Sequence, residues 1–268
     1  MVDFMRMKFK SLLCVAVCVL ASACASNNDS AWSKDSEKPY EDRQIEKSLE
    51  RYTYKEDVQL TPGSEIYYHF EYDIELPVKD FPEGVIETIQ QNILSLAFQK
   101  TVRNVDLNTF VTNHVDKLVR DWKRECLIES REYGESPMME SREVIRGRML
   151  DPYCGIVSYV CDSYGHGRSF NSYRRSVNMD VKTGRIVKES NLFRTGYKPI
   201  LRELLVEYLP ENVDKGSIDL RTFQPSEDFY LTEEGITYLY PQGEIGCMAD
   251  GIIEVTIPWS AFSIVRVK

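Results

Sequence analysis

Hydrophobic and polar residues alternate with a period of two along Glu65–Pro77, "EIYYHFEYDIELP". In an extended chain this pattern places the aromatic and aliphatic residues on one face and the charged residues on the other, as in a half-buried antiparallel strand. The preceding segment, "RYTYKEDVQL", ends at "TPG", a combination that favours a turn. The sequence therefore predicts a β-hairpin that begins near Arg51.

Hydrophobic residues then recur at intervals of three and four, which is typical of amphipathic helices. One run covers Val85–Ala97, and a second extends from Leu107 to about Cys126. His114 lies within the apolar stripe of the second run, so we expect a core histidine with a satisfied hydrogen bond.

Strand patterns return after Met139 in the segments "REVIRGRML", "YCGIVSYVC" and "FNSYRRSVNMDV". A further helix is predicted over Tyr197–Leu209, "YKPILRELLVEYL". Two strands, "DFYLTEEGITYLYP" and "GIIEVTIPWSAF", follow and are joined by the glycine-rich loop Pro241–Gly251. Blocks of strands and blocks of helices without strict alternation indicate an α+β fold, with antiparallel sheets packed against amphipathic helices.

The N-terminus has the layout of a secretory signal: a basic start, a short apolar run over Leu12–Leu20, and small residues after it. The sequence "ASA" before Cys24 resembles the lipobox of bacterial lipoproteins, in which the cysteine thiol receives a diacylglycerol. Cleavage by ordinary signal peptidase is the alternative. We therefore expect a signal peptide over residues 1–23, lipidation of Cys24 and anchoring to a membrane of the bacterial envelope, facing either the periplasm or the cell surface.

Composition divides the rest of the chain and restricts its partners. A polar segment over residues 24–50 is expected to be a flexible tether, followed by a strand-hairpin and helix subdomain over 51–143 and an α+β domain over 144–268. The net charge is −9, and loss of residues 1–23, with three basic residues and one acidic residue, makes it −11. This acidity disfavours a nucleic-acid partner and leaves acyl chains as the membrane anchor.

Four cysteines remain beyond the lipidation site, and an even number outside the cytoplasm predicts two disulfides. They are Cys126, Cys154, Cys161 and Cys247. If residues 153–161 form one extended strand, Cys154 and Cys161 lie about 23 Å apart, because a strand rises about 3.3 Å per residue. That distance excludes a bond between those two and leaves open which of the other two cysteines each one pairs with.

The segment "VCDSYGHG", Val160–Gly167, combines a thiol, a carboxylate, a hydroxyl and an imidazole. Catalytic groups usually come from separate chain segments, and successive residues of an extended chain point to opposite faces. The two glycines favour a bend around His166. We therefore interpret this segment as a turn with polar residues rather than as an active site.

The other candidate catalytic and metal-binding groups have equally little support in the sequence. Glu71, Asp73 and Glu75 lie on one strand face at spacings that glycosidases use, but an open strand face is solvated and does not raise the pKa of a carboxyl group. The three histidines form no metal-binding pair, and no phosphate-binding loop, nucleophile elbow or calcium loop is present. We expect no cofactor, no metal and no catalytic residue.

The residues from Val144 to Phe262 resemble a family of unknown function that forms the lysozyme-binding extracellular domain of the anti-sigma factor RsiV. The resemblance is carried by "SYGHGRSFNSYRRSVNMDVKTGRIVKESNLF" and "FYLTEEGITYLYPQGEIGCMADGIIEVTIPWSAF". In the first segment "YGHG", at Tyr164–Gly167, replaces the "GGAH" form of the family. The segment Tyr52–Ala97 is similar, more faintly, to the small domain that precedes this one in RsiV and in the peptidoglycan deacetylase PdaC.

The resemblance implies an envelope-facing binding module without known catalysis. Candidate binding residues are Tyr164 and His166 in the first segment and Tyr240 and Glu244 in the second. The expected ligand is peptidoglycan or a wall-directed protein such as lysozyme, whose basic charge suits an acidic chain. One alternative is a peptidoglycan hydrolase or deacetylase that uses His166 with Asp162 or with the acidic row. Another is a structural subunit of an envelope complex.

Overall fold

The computed structural model of the protein describes residues 48–82, 84–133, 140–166, 170–214, 223–247 and 250–263. The predicted signal peptide, the lipidation site Cys24 and all but the end of the predicted tether lie outside these residues. The first strand begins at Leu49 and therefore includes the last two residues of the predicted tether.

Eight strands and four α-helices are present in the described residues, and a 3₁₀ turn follows the last strand. The strands are β1 Leu49–Gln59, β2 Tyr67–Pro77, β3 Ser141–Met149, β4 Ile156–His166, β5 Phe170–Asp180, β6 Phe229–Leu231, β7 Gly235–Tyr240 and β8 Ile253–Pro258. The helices are α1 Val85–Ala97, α2 Leu107–Tyr133, α3 Glu189–Leu192 and α4 Lys198–Glu207, and the 3₁₀ turn is Trp259–Ser263.

The strands form two sheets. The first sheet has five strands in the order β1-β2-β3-β4-β5, and the second has three in the order β6-β7-β8. All neighbouring strands are antiparallel except β2 and β3, which run parallel with Tyr68 opposite Ser141. The helices α1 and α2 lie between β2 and β3 in sequence, which is the long crossover that a parallel pair requires.

The main core lies between the first sheet and helices α1 and α2. The apolar face of β2 is buried there, and Phe70, Tyr72 and Ile74 are at most 1% exposed. Helices α1 and α2 bury Ile89, Ile93, Val111 and Val115 in the same cluster. Full burial of one such side chain contributes about 1.5–3 kcal/mol, so the alternation in β2 and the helical stripes together hold this layer.

The opposite face of the first sheet carries the second sheet at its β4–β5 side. Ser158 and Asn178 are buried polar residues at this junction. The Asn178 side-chain amide donates a 2.7 Å hydrogen bond to the carbonyl of Phe229, and the Ser158 hydroxyl accepts a 3.0 Å bond from the N–H of Leu231. Both backbone partners belong to β6, so side-chain hydrogen bonds join the two sheets.

A second core fills the space between the second sheet, α3 and α4. Its members include Leu201 and Leu205 of α4 and the β7 residues Ile236, Tyr238 and Tyr240. Every residue of β7 is buried. The central strand is therefore covered on both faces, which explains its nearly continuous run of hydrophobic residues.

The predicted α+β fold is confirmed, and so are the first hairpin and both amphipathic helices. Helix α2 is longer than predicted and ends at Tyr133. The segment "DFYLTEEGITYLYP" forms a hairpin, β6 and β7, rather than the single strand expected, because the chain turns between Leu231 and Gly235. The expected boundary at residues 143/144 falls inside β3, whose neighbours β2 and β4 come from the two sides of that boundary.

The carboxylate of Asp228 links β5 to the start of β6. Its Oδ1 accepts a 3.0 Å hydrogen bond from the backbone N–H of Ser176, and burial raises the pKa of the carboxyl group. A carboxyl group whose pKa is higher in the folded than in the unfolded chain contributes less to stability as pH rises between those two values.

We expect Asp228→Asn, which keeps the acceptor oxygen, to raise the free energy of unfolding at pH 7. The gain should be below about 1 kcal/mol, because the side chain is partly exposed and solvent screens it. Urea unfolding at pH 7 and pH 3 measures this, and the gain should disappear at pH 3. A gain of the same size at both pH values would contradict the assignment to ionisation.

Candidate functional site

The face of the first sheet opposite α1 and α2 is polar, and the second sheet leaves its β1–β3 side uncovered. We call this surface the charged face. Its acidic residues include Glu71, Asp73 and Glu75 on β2 and Asp162 on β4, and its arginines include Arg51 on β1 and Arg142, Arg146 and Arg148 on β3. Strand alternation and the register of the pairs place all eight on the same side of the sheet.

Glu71 lies between two arginines of β3. Its carboxylate accepts a 2.7 Å hydrogen bond from Arg146 Nη2, and Arg142 Nη2 lies 3.8 Å away. The hydrogen bond from Arg146 lowers the pKa of Glu71, with burial acting in the opposite sense. The carboxylate stays ionised at neutral pH, whereas a general acid requires a raised pKa.

Arg51 connects the other two acids of β2. Its Nη2 donates a 3.0 Å bond to Glu75 Oε1, and its Nε lies 3.3 Å from Asp73. The second oxygen of Glu75 accepts a 3.0 Å bond from the backbone N–H of Met149 on β3. The acidic row is therefore held in ion pairs that cross three strands.

A cavity of about 400 Å³ lies at one end of the charged face. Its lining includes Arg51 and Glu75 together with Arg148 and Asp151. The cavity combines both signs of charge next to Met149, which suits a ligand that carries charged groups of both signs. More than half of the side-chain surface of Arg51, Arg142 and Arg146 is exposed, so these groups are accessible from solvent.

Arg174 of β5 marks the border between the charged face and the second sheet. Its guanidinium holds both oxygens of Asp162, at 2.6 and 3.2 Å, and also contacts the carboxylate of Glu254 on β8. Tyr230 donates a 2.8 Å bond to the same Glu254. Asp162 is thus engaged as part of an inter-sheet ion pair.

The extended backbone of β4 separates the Cα atoms of Asp162 and His166, which the hydrolase alternative pairs. The two residues are four positions apart on the extended strand β4, which is about 13 Å at the usual strand rise. The predicted turn does not include Val160–His166, which remain in the extended strand β4. The chain reverses between His166 and its antiparallel partner Phe170 of β5. The connection between the strands begins only after His166.

The four candidate binding residues do not share one described surface. Tyr164 lies on the same side of β4 as the charged face, half-buried and opposite Val144. His166 is the last residue of β4, opposite Arg142, and its side chain lies outside the described set. Tyr240 is 0% exposed and stacks on Phe223 inside the second core, whereas Glu244 is exposed in the turn after β7.

None of the four predicted disulfide cysteines, all of which the structure describes, is disulfide-bonded. Cys161 is buried in the main core, Cys126 is buried in a separate small cluster with Trp122, and Cys247 is exposed in the loop after β7. The strand expected through Cys154 is interrupted there, because Cys154 has a positive φ of 52° and β4 starts at Ile156. The distance argument that used this strand is therefore wrong.

The described residues contain neither a candidate metal cluster nor a membrane-spanning helix. Among them, no group of three or more His, Cys, Asp or Glu side chains could hold a metal ion. No helix in the same residues combines the length and the apolar character needed to cross a membrane. His114, by contrast, is 7% exposed and hydrogen-bonded, which confirms it as a satisfied core histidine.

The arginines of β3 are the part of this site that the sequence analysis did not identify. Arg142, Arg146 and Arg148 recur at even spacings in "REVIRGRML", and this period of two is the signal that could have placed them on one face. Their partners on β2 depend on the parallel pairing of β2 with β3, which local patterns do not encode.

The fold defines a class: an α+β protein in which a mixed five-stranded sheet has helices on one face and a second, smaller sheet on the other. Residues 190–260, from α3 to the 3₁₀ turn, match the family described as "Protein of unknown function (DUF3298)". The match covers about a quarter of the chain and corresponds to the second sheet with its helices. No curated protein matches the chain.

Two crystal structures share this fold. A DUF3298 family member from Bacteroides fragilis NCTC 9343 has a TM-score of 0.71 and 16% identity, over 82% of this chain and 93% of that one. A DUF3298 family protein from Pseudomonas aeruginosa PAO1 has a TM-score of 0.55 and 16% identity, over 82% of this chain and 94% of that one. At this level of identity the similarity concerns the fold, which includes the five-stranded sheet as well as the matched segment.

Proposed function

We propose that the protein is a lipid-anchored binding module of the bacterial cell envelope. In this proposal Cys24 carries the acyl chains, and the folded body recognises a wall-directed protein such as lysozyme, or peptidoglycan, without transforming it. The lipobox-like leader supports the location. The RsiV-like sequence of residues 144–262, which contains the segment that matches the DUF3298 family, supports the type of ligand.

The observation that carries the proposal is the charged face. It presents alternating acidic and basic side chains over several strands, with a polar cavity at one end, and none of the described helices covers it. Charges held in a fixed pattern on a rigid sheet give specificity through complementary charges on a partner. The net charge of −11 after loss of the leader adds long-range attraction for a basic protein.

The same contacts favour recognition over acid–base chemistry. Glu71 is kept ionised by Arg146, and Asp162 is occupied by Arg174. A hydrolytic acid needs a carboxyl group with a raised pKa, and the pKa of Glu71 is lowered. Both oxygens of Asp162 are held by Arg174.

A calorimetric titration of the purified protein with lysozyme, and separately with soluble muropeptides, tests this proposal. We expect saturable binding of one of them at micromolar concentration, weakened by added salt, with no release of new reducing ends or acetate from peptidoglycan. Absence of binding at several hundred micromolar of both would contradict the binding function. Turnover of peptidoglycan that is lost in His166→Ala, with folding intact, would favour the hydrolase or deacetylase alternative.

Asp73→Lys tests whether the charged face is the recognition surface. The new cation next to Arg51 would remove one acidic contact and add repulsion toward a basic partner. We expect the affinity for lysozyme to fall at least about tenfold, which corresponds to about 1.4 kcal/mol.

The matched control is Glu203→Lys, which makes the same change in net charge on the exposed side of α4. It should weaken lysozyme binding by less than about threefold, because only the screened long-range attraction changes. Equal losses in the two variants would mean that net charge alone, and not the charged face, determines affinity.

A further inference from the structure

A second cavity, separate from the charged face, lies at the N-terminal half of α2. It has a volume of about 340 Å³ and is mainly apolar, with Phe110 and Val105 in its lining beside Lys100, His114 and Lys117. We call it the α2 pocket. Val105 is 46% exposed, which leaves an apolar side chain of this lining open to solvent.

A chain of hydrogen bonds runs from the core to this pocket. Tyr72 donates a 2.5 Å bond to Glu143 Oε2, and His114 Nε2 lies 3.3 Å from the same oxygen. On the other side of the imidazole, Lys100 Nζ lies 2.7 Å from His114 Nδ1. Because an ammonium group can only donate, Nδ1 is the acceptor and Nε2 carries the proton that His114 donates to Glu143.

This arrangement positions the ammonium group of Lys100 without pairing it with a carboxylate. The ring of His114 is fixed by contacts with Phe98 and Phe110, at centroid distances of 5.0 and 6.4 Å. The imidazole in turn holds the ammonium of Lys100 at the pocket through the contact at Nδ1. Glu143, the nearest carboxylate in this chain of bonds, lies on the far side of the ring.

The other charged side chains of the pocket, Asp106 and Lys117, make hydrogen bonds within the protein. Asp106 accepts a 2.9 Å bond from the N–H of Thr109 in the first turn of α2, and this bond lowers the pKa of Asp106. Lys117 donates a 2.7 Å bond to Asp121. Among the described contacts, Lys117 has a carboxylate partner and Asp106 caps the backbone of α2, whereas Lys100 has no carboxylate partner. The pocket thus offers one available positive charge beside an apolar wall.

We propose that the α2 pocket binds a ligand that combines one carboxylate with a small apolar group. The carboxylate pairs with Lys100, and the apolar group packs on Phe110 and Val105. A charge-assisted hydrogen bond to a positioned ammonium gives orientation, and burial of the apolar group gives affinity. This site lies outside the charged face, so a test of ligand binding here is independent of the proposed function.

The probes are benzoate and its neutral analogue benzamide, followed by NMR on the ¹⁵N-labelled protein. We expect benzoate to shift the amides of residues 100–117 with a dissociation constant in the millimolar range, and benzamide to bind at least about tenfold more weakly. A dipeptide with a free C-terminal carboxylate and its amidated form distinguish the end of a peptide chain from a free acid. Tighter binding of either acid supports the shared carboxylate chemistry.

Lys100→Gln should reduce benzoate affinity at least about tenfold. The matched Lys198→Gln, which is exposed at the start of α4 and outside the pocket, should reduce it less than about threefold. Glutamine can still donate to His114 Nδ1 and Lys100 is exposed, so the fold should be retained, which the NMR spectrum itself reports. Equal binding of benzoate and benzamide to the unmodified protein, no binding of either, or unchanged benzoate affinity in Lys100→Gln would each overturn the proposal.

Discussion

Gly235→Ala is expected to destabilise the protein by about 3 kcal/mol, at the upper end of the usual cost of overpacking. Gly235 is the first residue of β7 and pairs with Pro258 of β8. A Cβ at this position would lie 2.2 Å from the carbonyl oxygen of Ile257 and 2.9 Å from its carbonyl carbon. These are backbone atoms of the neighbouring strand, so relief of the clash requires β8 to move against the second core.

The matched control is Gly165→Ala, another glycine within a strand of this protein. A Cβ there would meet only the carbonyl oxygen of Arg142, at 3.9 Å, which is an ordinary contact. Urea unfolding should place this variant within about 0.5 kcal/mol of the unmodified protein. If Gly235→Ala lost no more than Gly165→Ala, the close approach of β7 and β8 would be wrong.

Asn178→Leu is expected to cost a comparable amount, about 3 kcal/mol, because it leaves buried polar groups without partners. Asn178 is 3% exposed and accepts a 2.7 Å bond from the Ser158 hydroxyl while donating to the carbonyl of Phe229. Leucine fills a similar volume but can make neither bond. The lost bonds link β4 and β5 to β6, so the damage should concentrate at the junction of the two sheets.

Hydrogen exchange at β6, together with urea unfolding, measures this effect. We expect amides of β6 to lose protection more than those of β1 and β2, which lie at the other side of the first sheet. Asn113→Leu, on the exposed side of α2, is the control and should change stability by less than about 0.5 kcal/mol. Uniform loss of protection across both sheets would contradict a local role for Asn178.

Local periodicity was sufficient to predict an element and its buried side where that element buries one face only. The alternation in β2 and the stripes of α1 and α2 each indicate an element and its buried side, and the main core uses those sides. Turns made without proline were harder to predict. The turn between β6 and β7 contains "TEE" and then Gly235, which sits in the strand because the backbone of β8 lies close to it.

Pairing between distant strands could not be predicted from local patterns. Alternation shows that β2 and β3 are strands, but the register that brings Arg146 to Glu71 depends on the crossover through α1 and α2. The acidic row was therefore identified without its arginines. The even number of cysteines likewise did not indicate which cysteines lie close together. Cys126 and Cys161, for example, lie in different clusters.

The most direct test of the charged face as a recognition surface is arginine footprinting of the complex with lysozyme. Phenylglyoxal modification, read by mass spectrometry, should fall at Arg142 and Arg148 when lysozyme is bound. Modification of Arg103, which is exposed in the connection between α1 and α2 at the opposite side of the sheet, should not change. Unchanged modification of Arg142 and Arg148 in a saturated complex would contradict the account.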